Sequence, residues 1–308
     1  MAWFRRAFFF IALNITVILM LSLVINLLGI RPYLDAQGIN YGALIGFCLV
    51  WGMGGAFISL MLSKTMAKWM MGLQIIDPRT TDPVARDIVE TVHSLARAAG
   101  LRKMPEVAVY NSPEVNAFAT GPTKNNSLVA VSTGLLRTMD KRARDGVLGH
   151  EVAHIANGDM VTMTLLQGVV NAFVMALARI IAFAIDNFLR GDRERGGGLG
   201  PFAYIAVVWI LELVLFIPGS MIIAWFSRQR EYRADAGGAR FAGRENMIHA
   251  LRTLERVHEL NEIPEVQQAA PSYAALKIDG PKRSTIALLM STHPPLRDRI
   301  ARLERMSI

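Results

Sequence analysis

The chain has 308 residues, 52% of them hydrophobic and only 19% charged, with a mean hydropathy of +0.32. This is too apolar for an ordinary soluble domain and long enough for about two structural units. Its single cysteine, Cys48, lies in an apolar run, which excludes an intrachain disulfide framework and a cysteine-based zinc or iron–sulfur site. The formal charge of +8 would suit nucleic acid, anionic lipid or topology signals. The basic residues are scattered around apolar boundaries rather than clustered with aromatics, so no nucleic-acid partner is expected.

Arg6 and Arg31 bracket 24 uncharged residues, and Asp35 and Lys64 bracket another 28. Each run exceeds the ~20 apolar residues of a spanning helix. Residues 1–63 are therefore expected to form a transmembrane hairpin, with helices at about 7–30 and 39–63. The first run is too long for the ~7–15-residue core of a signal peptide, and no small-x-small cleavage site follows it, so it reads as a retained anchor. Gly42 and Gly46 form a GxxxG that can admit a second helix or stand simply as membrane glycines. Arg5 and Arg6 precede the first helix, and Lys64 and Lys68 follow the second. The positive-inside rule then places both outer ends in the cytoplasm, and Trp3 and Trp69 mark the boundaries.

Residues 64–159 are mixed in polarity and are expected to form the first part of a cytoplasmic domain. Asp82-Pro83 opens and Gly100 closes a helical pattern, while Glu106 to Tyr110 and Ser127 to Val131 alternate as short strands. The stretch His150-Glu151-Val152-Ala153-His154 is an H-E-x-x-H. Histidines four apart on a helix of ~3.6 residues per turn project from one face, as two ligands of a tetrahedral zinc do. Glu151, on the adjoining face, can take a proton from a water in the metal's open position. The polar flanks, Asp140 to Asp145 and Asn157-Gly158-Asp159, set the motif near a bilayer surface rather than within it.

Residues 160–227 read as a second hydrophobic hairpin. Met160 to Ala178 is uncharged but meets Arg179, and the run from Gly196 to Ser227 is interrupted by Glu212. Such charges are costly at membrane depth unless they face protein or water. Arg190, Arg193 and Arg195 in the connecting loop also fit poorly with translocation. The two runs either cross the bilayer or dip into it against protein, and in both cases the chain returns to the side it left.

Residues 228–308 are expected to complete the catalytic domain, with a helix through Arg240, another from Glu245 to about Leu260, and a last one beginning near Pro294. A hydrolytic zinc site needs a third protein ligand. Glu231 and Asp235 are four apart on a predicted helix, so Glu231 can bind metal while Asp235 accepts a hydrogen bond from a liganding imidazole. The alternative is a helix in which Glu231 pairs with neighbouring arginines. Glu212, inside an apolar run, and His249 and His258, on a highly charged helix, are weaker candidates.

Together these residues resemble the gluzincin membrane metallopeptidases, which include heat-shock proteases of the bacterial inner membrane and, more distantly, the CAAX prenyl endopeptidases. The resemblance spans nearly the whole chain. It rests on the amino-terminal hydrophobic pair, Asn116-Ala117-Phe118-Ala119, Val147 through Asp159, Ser227 through Ala236, and Thr292-His293-Pro294-Pro295. It implies a mainly α membrane protein with a small β-sheet, in which a zincin-like domain accompanies about four hydrophobic helices. It further implies one Zn2+ per chain held by His150, His154 and Glu231, with Glu151 as general base and Asp235 as supporting acid. The implied location is the bacterial inner membrane with the active site facing the cytoplasm. Besides the lipid bilayer, the implied partners are protein substrates, namely misfolded or damaged membrane proteins cleared during stress.

Asn116 and Ala117 fall where related zincins present an edge strand for a substrate's main chain, or else form a simple Asn turn. His293 precedes two prolines that fix the chain before a helix. It could donate to the oxyanion of hydrolysis or satisfy a nearby carboxylate. A non-proteolytic metal transporter or sensor using the same ligands is the competing reading, although the first two apolar runs carry almost none of the polar groups that transport requires. No sequence signal bears on oligomeric state or cleavage preference.

Overall fold

The computed structural model describes residues 41–190, 198–261 and 291–306. The helix expected at about 7–30 lies outside these, as do Arg193 and Arg195. Among the described residues the elements, in chain order, are α1 (Tyr41–Met70), β1 (Gln74–Ile75), α2 (Pro83–Ala98), β2 (Glu106–Tyr110), β3 (Ala117–Thr123), β4 (Asn126–Ser132), α3 (Thr133–Thr138), α4 (Lys141–Asn157), α5 (Asp159–Arg190), α6 (Gly200–Ala242), α7 (Arg244–Asn261) and α8 (Leu296–Glu304). The protein is mainly α with one four-stranded sheet. It divides into two compact units. One takes the described residues up to Ser59 and Thr162–Ile223, and the other takes Leu60–Val161 and the described residues from Ala224 onward.

The first unit is built from α1, α5 and α6, each long and apolar enough to cross a membrane. Helix α5 is its centre: half of its most apolar window is buried, against 11% for α6. The outward face of α6 is correspondingly apolar, with Trp209 and Leu213 about 70% exposed. Small residues set the spacing. A Cβ on Gly52 would lie 2.7 Å from the backbone of Ala172, and one on Gly219 would lie 2.8 Å from Val170. Gly46 of the GxxxG has no neighbour within 4 Å, so α1 meets α5 through Gly52 instead. Arg179 on α5 and Glu212 on α6, the two charges that interrupt the apolar runs, pair with each other at 2.8 Å.

The second unit is organised on the sheet, whose order is β1-β2-β4-β3. Strands β2 and β4 run parallel, and the other two pairings are antiparallel. Leu128 to Val131 of β4 are fully buried because both sheet faces are covered. Val107, Val129 and Val131 pack against Val92 and Leu95 of α2 and Leu148, Val152 and Ile155 of α4, while Tyr110, Leu128 and Ala130 form a smaller cluster on the opposite face. Strand β3 forms one edge, where its Pro122 is tolerated because no further strand needs the missing N–H.

The start and stop chemistry of the helices matches their sequences. Asp82 caps α2, with Pro83 in the first turn. Asp140 caps α4 by accepting from Ala143 N at 2.8 Å, and Gly158 ends α4 in the left-handed conformation with φ of +70°. Helix α4 is buried on nearly every side, from Gly146 to Ile155. Its glycine at 149 and Gly238 of α6 let these two helices approach until a Cβ on Gly238 would sit 3.0 Å from His150 N. That contact lies two turns along α6 from Glu231 and directly fixes the geometry of the site.

Candidate metal centre

His150 and His154 stand one turn apart on α4, with ring centroids 4.6 Å apart and the rings nearly perpendicular. Their Nε2 atoms face each other at 3.0 Å. Helix α6 brings in Glu231, which is 1% exposed, so that its two carboxylate oxygens lie 3.3 Å from His150 Nε2 and 3.4 Å from His154 Nε2. One donor atom from each of the three residues falls within 4.8 Å of the others. Glu231 Oε2 is buried and makes no well-angled hydrogen bond, although His150 and His293 stand within ion-pair reach. Two imidazole nitrogens turned on each other beside an unsatisfied carboxylate oxygen fit a cation among them, and two nitrogens with one oxygen is a donor set that zinc accepts.

The far side of each imidazole is held by an acid. His150 Nδ1 lies 2.9 Å from Asp235 Oδ1, and His154 Nδ1 lies 2.6 Å from Asp159 Oδ2. Each ring can thus donate from Nδ1 and keep the Nε2 lone pair for the centre. Asp235 is itself gripped by Arg299 of α8 through two bonds, Nε–Oδ2 at 2.8 Å and Nη2–Oδ1 at 2.6 Å. Arg302, on the same helix, stacks over Tyr232 at 4.6 Å and ties α8 to α6.

The electrostatics point the same way. Burial disfavours a charged His150, yet Asp235 and Glu231 outweigh it and push its pKa up to about 9. His154 is also raised, burial again being outweighed, here by Asp159 and Glu231. Burial alone would raise Glu231, but the three surrounding histidines hold it far below the usual carboxylate range. Asp235 is lowered by Arg299 and His150 against the same burial effect. The surroundings therefore favour positive charge between the rings, whether carried by protons or by a metal ion.

Beside these groups opens a cleft of about 160 Å³ bordered by Glu151, Asn116, Ala117 and His293. Glu151 is half-buried on the face adjoining His150. Asn116 accepts from Ser132 N at 3.0 Å and leads into the edge strand, where Ala117 pairs with Val131. His293 is 63% exposed, and its Nδ1 lies 3.0 Å from Glu231 Oε2, so a carboxylate contact accompanies its position at the cleft. The weaker ligand candidates stay away: Glu212 pairs with Arg179 in the other unit, His249 reaches Asp140 at 2.8 Å, and His258 is exposed.

Two residues of this network, Asp159 and Arg299, carry no motif in the sequence. Asp159 looks like an ordinary acidic residue at the start of α5, where the helix dipole favours it. Arg299 did leave a trace, since it falls on the apolar stripe of Leu296, Ile300 and Leu303, where an arginine needs a buried partner. The partner, 64 residues away, could not be read from local pattern.

An H-E-x-x-H helix meeting a glutamate from a second helix, with three membrane-length apolar helices among the described residues, defines a membrane metalloprotease. The profile of peptidase family M48 matches residues 83–307. The chain is 51% identical over 300 residues to Protease HtpX of Shewanella pealeana, covering 97% of this chain and 99% of that one. It is 50% identical over 307 residues to a Protease HtpX homolog of Bacillus licheniformis, with coverages of 97% and 99%. For Protease HtpX of Xanthomonas axonopodis pv. citri the values are 50% over 305 residues, with 99% and 98% covered. The chain belongs to peptidase family M48. The crystal structure of S. mikatae Ste24p shares its fold, with a TM-score of 0.59 at 16% identity over 96% of this chain and 67% of that one. Family membership displaces the transporter or sensor reading.

Proposed function

We propose that this protein is a zinc-dependent endopeptidase of the bacterial inner membrane that cuts misfolded or damaged membrane proteins on the cytoplasmic side during stress. The observation that carries this reading is the convergence of His150, His154 and Glu231, with the two imidazoles backed by the buried Asp235 and Asp159. The cytoplasmic orientation rests on Arg5 and Arg6 before the first apolar run and Lys64 and Lys68 after the second. In this reading a catalytic domain of residues 64–159 and 228–308 is interrupted by the hydrophobic hairpin 160–227 and preceded by the anchor hairpin 1–63.

His150, His154 and Glu231 would hold one zinc per chain, with Asp235 and Asp159 fixing the tautomers of the two imidazoles. When bound, zinc supplies the Lewis acidity that acidifies a water and polarises a peptide carbonyl. Glu151 takes the proton of the attacking water and passes it to the leaving nitrogen. The exposed ring of His293 donates a hydrogen bond to the developing oxyanion. Asn116 and Ala117, at the entry to β3, hold the substrate's main chain in strand-like pairing. The edge position of β3 supports this, because a strand can add there without displacing another.

The test is proteolysis of a membrane-protein substrate by purified protein with zinc restored. Glu151→Gln is expected to slow cleavage by roughly 10²–10⁴-fold, the usual contribution of a general base, with zinc content unchanged. Equal rates for Glu151→Gln and wild type would refute the mechanism.

A further inference from the structure

Arg179 and Glu212 belong to no part of the site described above. Glu212 lies 12 residues into α6 and Arg179 lies 11 residues before the end of α5. At ~1.5 Å per residue both are roughly 17 Å from that end of the helix pair, about half of a ~30 Å hydrocarbon core. Ionised side chains are rare at such depth and mark function by default. A purely structural clasp would be buried and saturated, and this pair is neither. About 28% of the Arg179 side chain and 29% of Glu212 are exposed. Among the described residues the pair's hydrogen bonds use only Arg179 Nη1, which donates to Glu212 Oε1 at 2.8 Å and to Met175 O at 2.9 Å. Arg179 Nη2 and Nε and Glu212 Oε2 keep their bonding capacity, and none of them is a buried unsatisfied atom. Around them the surface is apolar, with Trp209 and Leu213 about 70% exposed.

Donors and an acceptor open on an apolar helix face complement one kind of partner: a membrane-embedded helix with a polar side chain of its own. In hydrocarbon such a side chain has no water to bond, so an interhelical hydrogen bond is its best outcome. A correctly assembled membrane protein hides these groups between its helices, and a misassembled one exposes them. We propose that the Arg179–Glu212 pair is an intramembrane recognition site for transmembrane segments that carry an unpaired polar side chain. The inference rests on the reading of membrane proteins as substrates and names the feature by which they are selected.

The experiment uses the full chain in proteoliposomes, with a photo-crosslinking amino acid in place of Trp209, one turn from Glu212. Two single-span partners are presented, identical except for Asn or Leu at the centre of the span. Crosslinking to the Asn span is expected to exceed that to the Leu span by roughly threefold to tenfold, the size of one interhelical hydrogen bond in a membrane. In Arg179→Leu/Glu212→Leu the preference disappears, and in the charge-swapped Arg179→Glu/Glu212→Arg it returns. Equal capture of both spans by the wild-type pair, preference that survives in the double leucine variant, or crosslinks only to a second copy of this chain would overturn the proposal. Capture requires no bond cleavage, and parallel cleavage of a soluble peptide reports on the proteolytic reading separately.

Discussion

In the apolar unit, Arg179 and Glu212 form one ion pair at 2.8 Å, and each side chain stays more than a quarter exposed. In the other unit, His150, His154, Asp159, Glu231, Asp235 and Arg299 are between 1% and 9% exposed, and each imidazole or carboxylate is held from at least one side. Both regions take charge out of water, but they end in different states. The buried group forms a closed network in which the main unspent capacity, the Nε2 lone pairs and one Glu231 oxygen, points inward to a common centre. The Arg179–Glu212 pair of the apolar unit leaves its capacity pointing outward. A network that is over-determined everywhere except at one point is pre-organised to bind a cation there, whereas an open pair is suited to meeting another chain.

The difference can be broken most sharply at Arg299. Arg299→Met leaves Asp235 as a buried carboxylate without its two-pronged partner, and removing one member of such a buried pair costs roughly 3–5 kcal/mol. Thermal unfolding of the purified protein should show a large drop, accompanied by weaker zinc retention on dialysis. A stability close to wild type would mean that the network is not closed in the way described. A smaller effect is expected at Asp159. Asp159→Asn keeps the volume but weakens the hold on His154 Nδ1, and loss of such an outer partner typically lowers metal affinity by about 10–100-fold. Competition with a zinc chelator measures this directly.

In the apolar unit the effects should be milder. Glu212→Leu leaves Arg179 unpaired and is expected to destabilise by about 1 kcal/mol, the scale of interhelical polar contacts in membranes. Arg179→Leu/Glu212→Leu should recover part of that loss, because replacing both partners leaves no charge uncompensated. Unfolding of the two variants side by side in the same detergent decides the point.

The smallest effect concerns Glu106 on β2, which Lys64 and Lys68 clasp at 2.7 and 2.8 Å. Burial would raise its pKa, but the two ammonium groups hold it below the ordinary value of 4.5. A carboxylate lowered on folding contributes stability above its unfolded pKa and loses it as pH falls through the lower folded value. Glu106→Gln should therefore narrow the stability gap between pH 7 and acid. The change will be modest because the side chain is 41% exposed and solvent screens the pair. Equilibrium unfolding as a function of pH is the measurement.

Much of this architecture was legible in the sequence where chemistry is local. Asp82-Pro83, Asp140 and Gly158 delimit helices because caps act within one turn, and the i,i+4 spacings of His150 with His154 and Glu231 with Asp235 survive as shared helix faces. Strands β2 and β4 were legible from alternation. Strand β3 was harder to see, since Gly121-Pro122 reads as a turn and is accommodated only because the strand lies at an edge. The approach of α4 to α6 was hidden because Gly149 and Gly238 acquire meaning only once the helices are paired. The grip of Arg299 on Asp235 was hidden for the same reason: it is a contact between residues 64 apart, brought together by the packing of α8.

The central claim is that His150, His154 and Glu231 bind one zinc ion together. Metal analysis of the full chain after zinc loading and removal of free metal, combined with zinc X-ray absorption, tests it directly. The account predicts one zinc per chain in a nitrogen- and oxygen-only shell containing two imidazoles, with the metal lost in Glu231→Ala and retained in Glu151→Gln. Stoichiometric zinc that persists in Glu231→Ala with an unaltered absorption spectrum would contradict it.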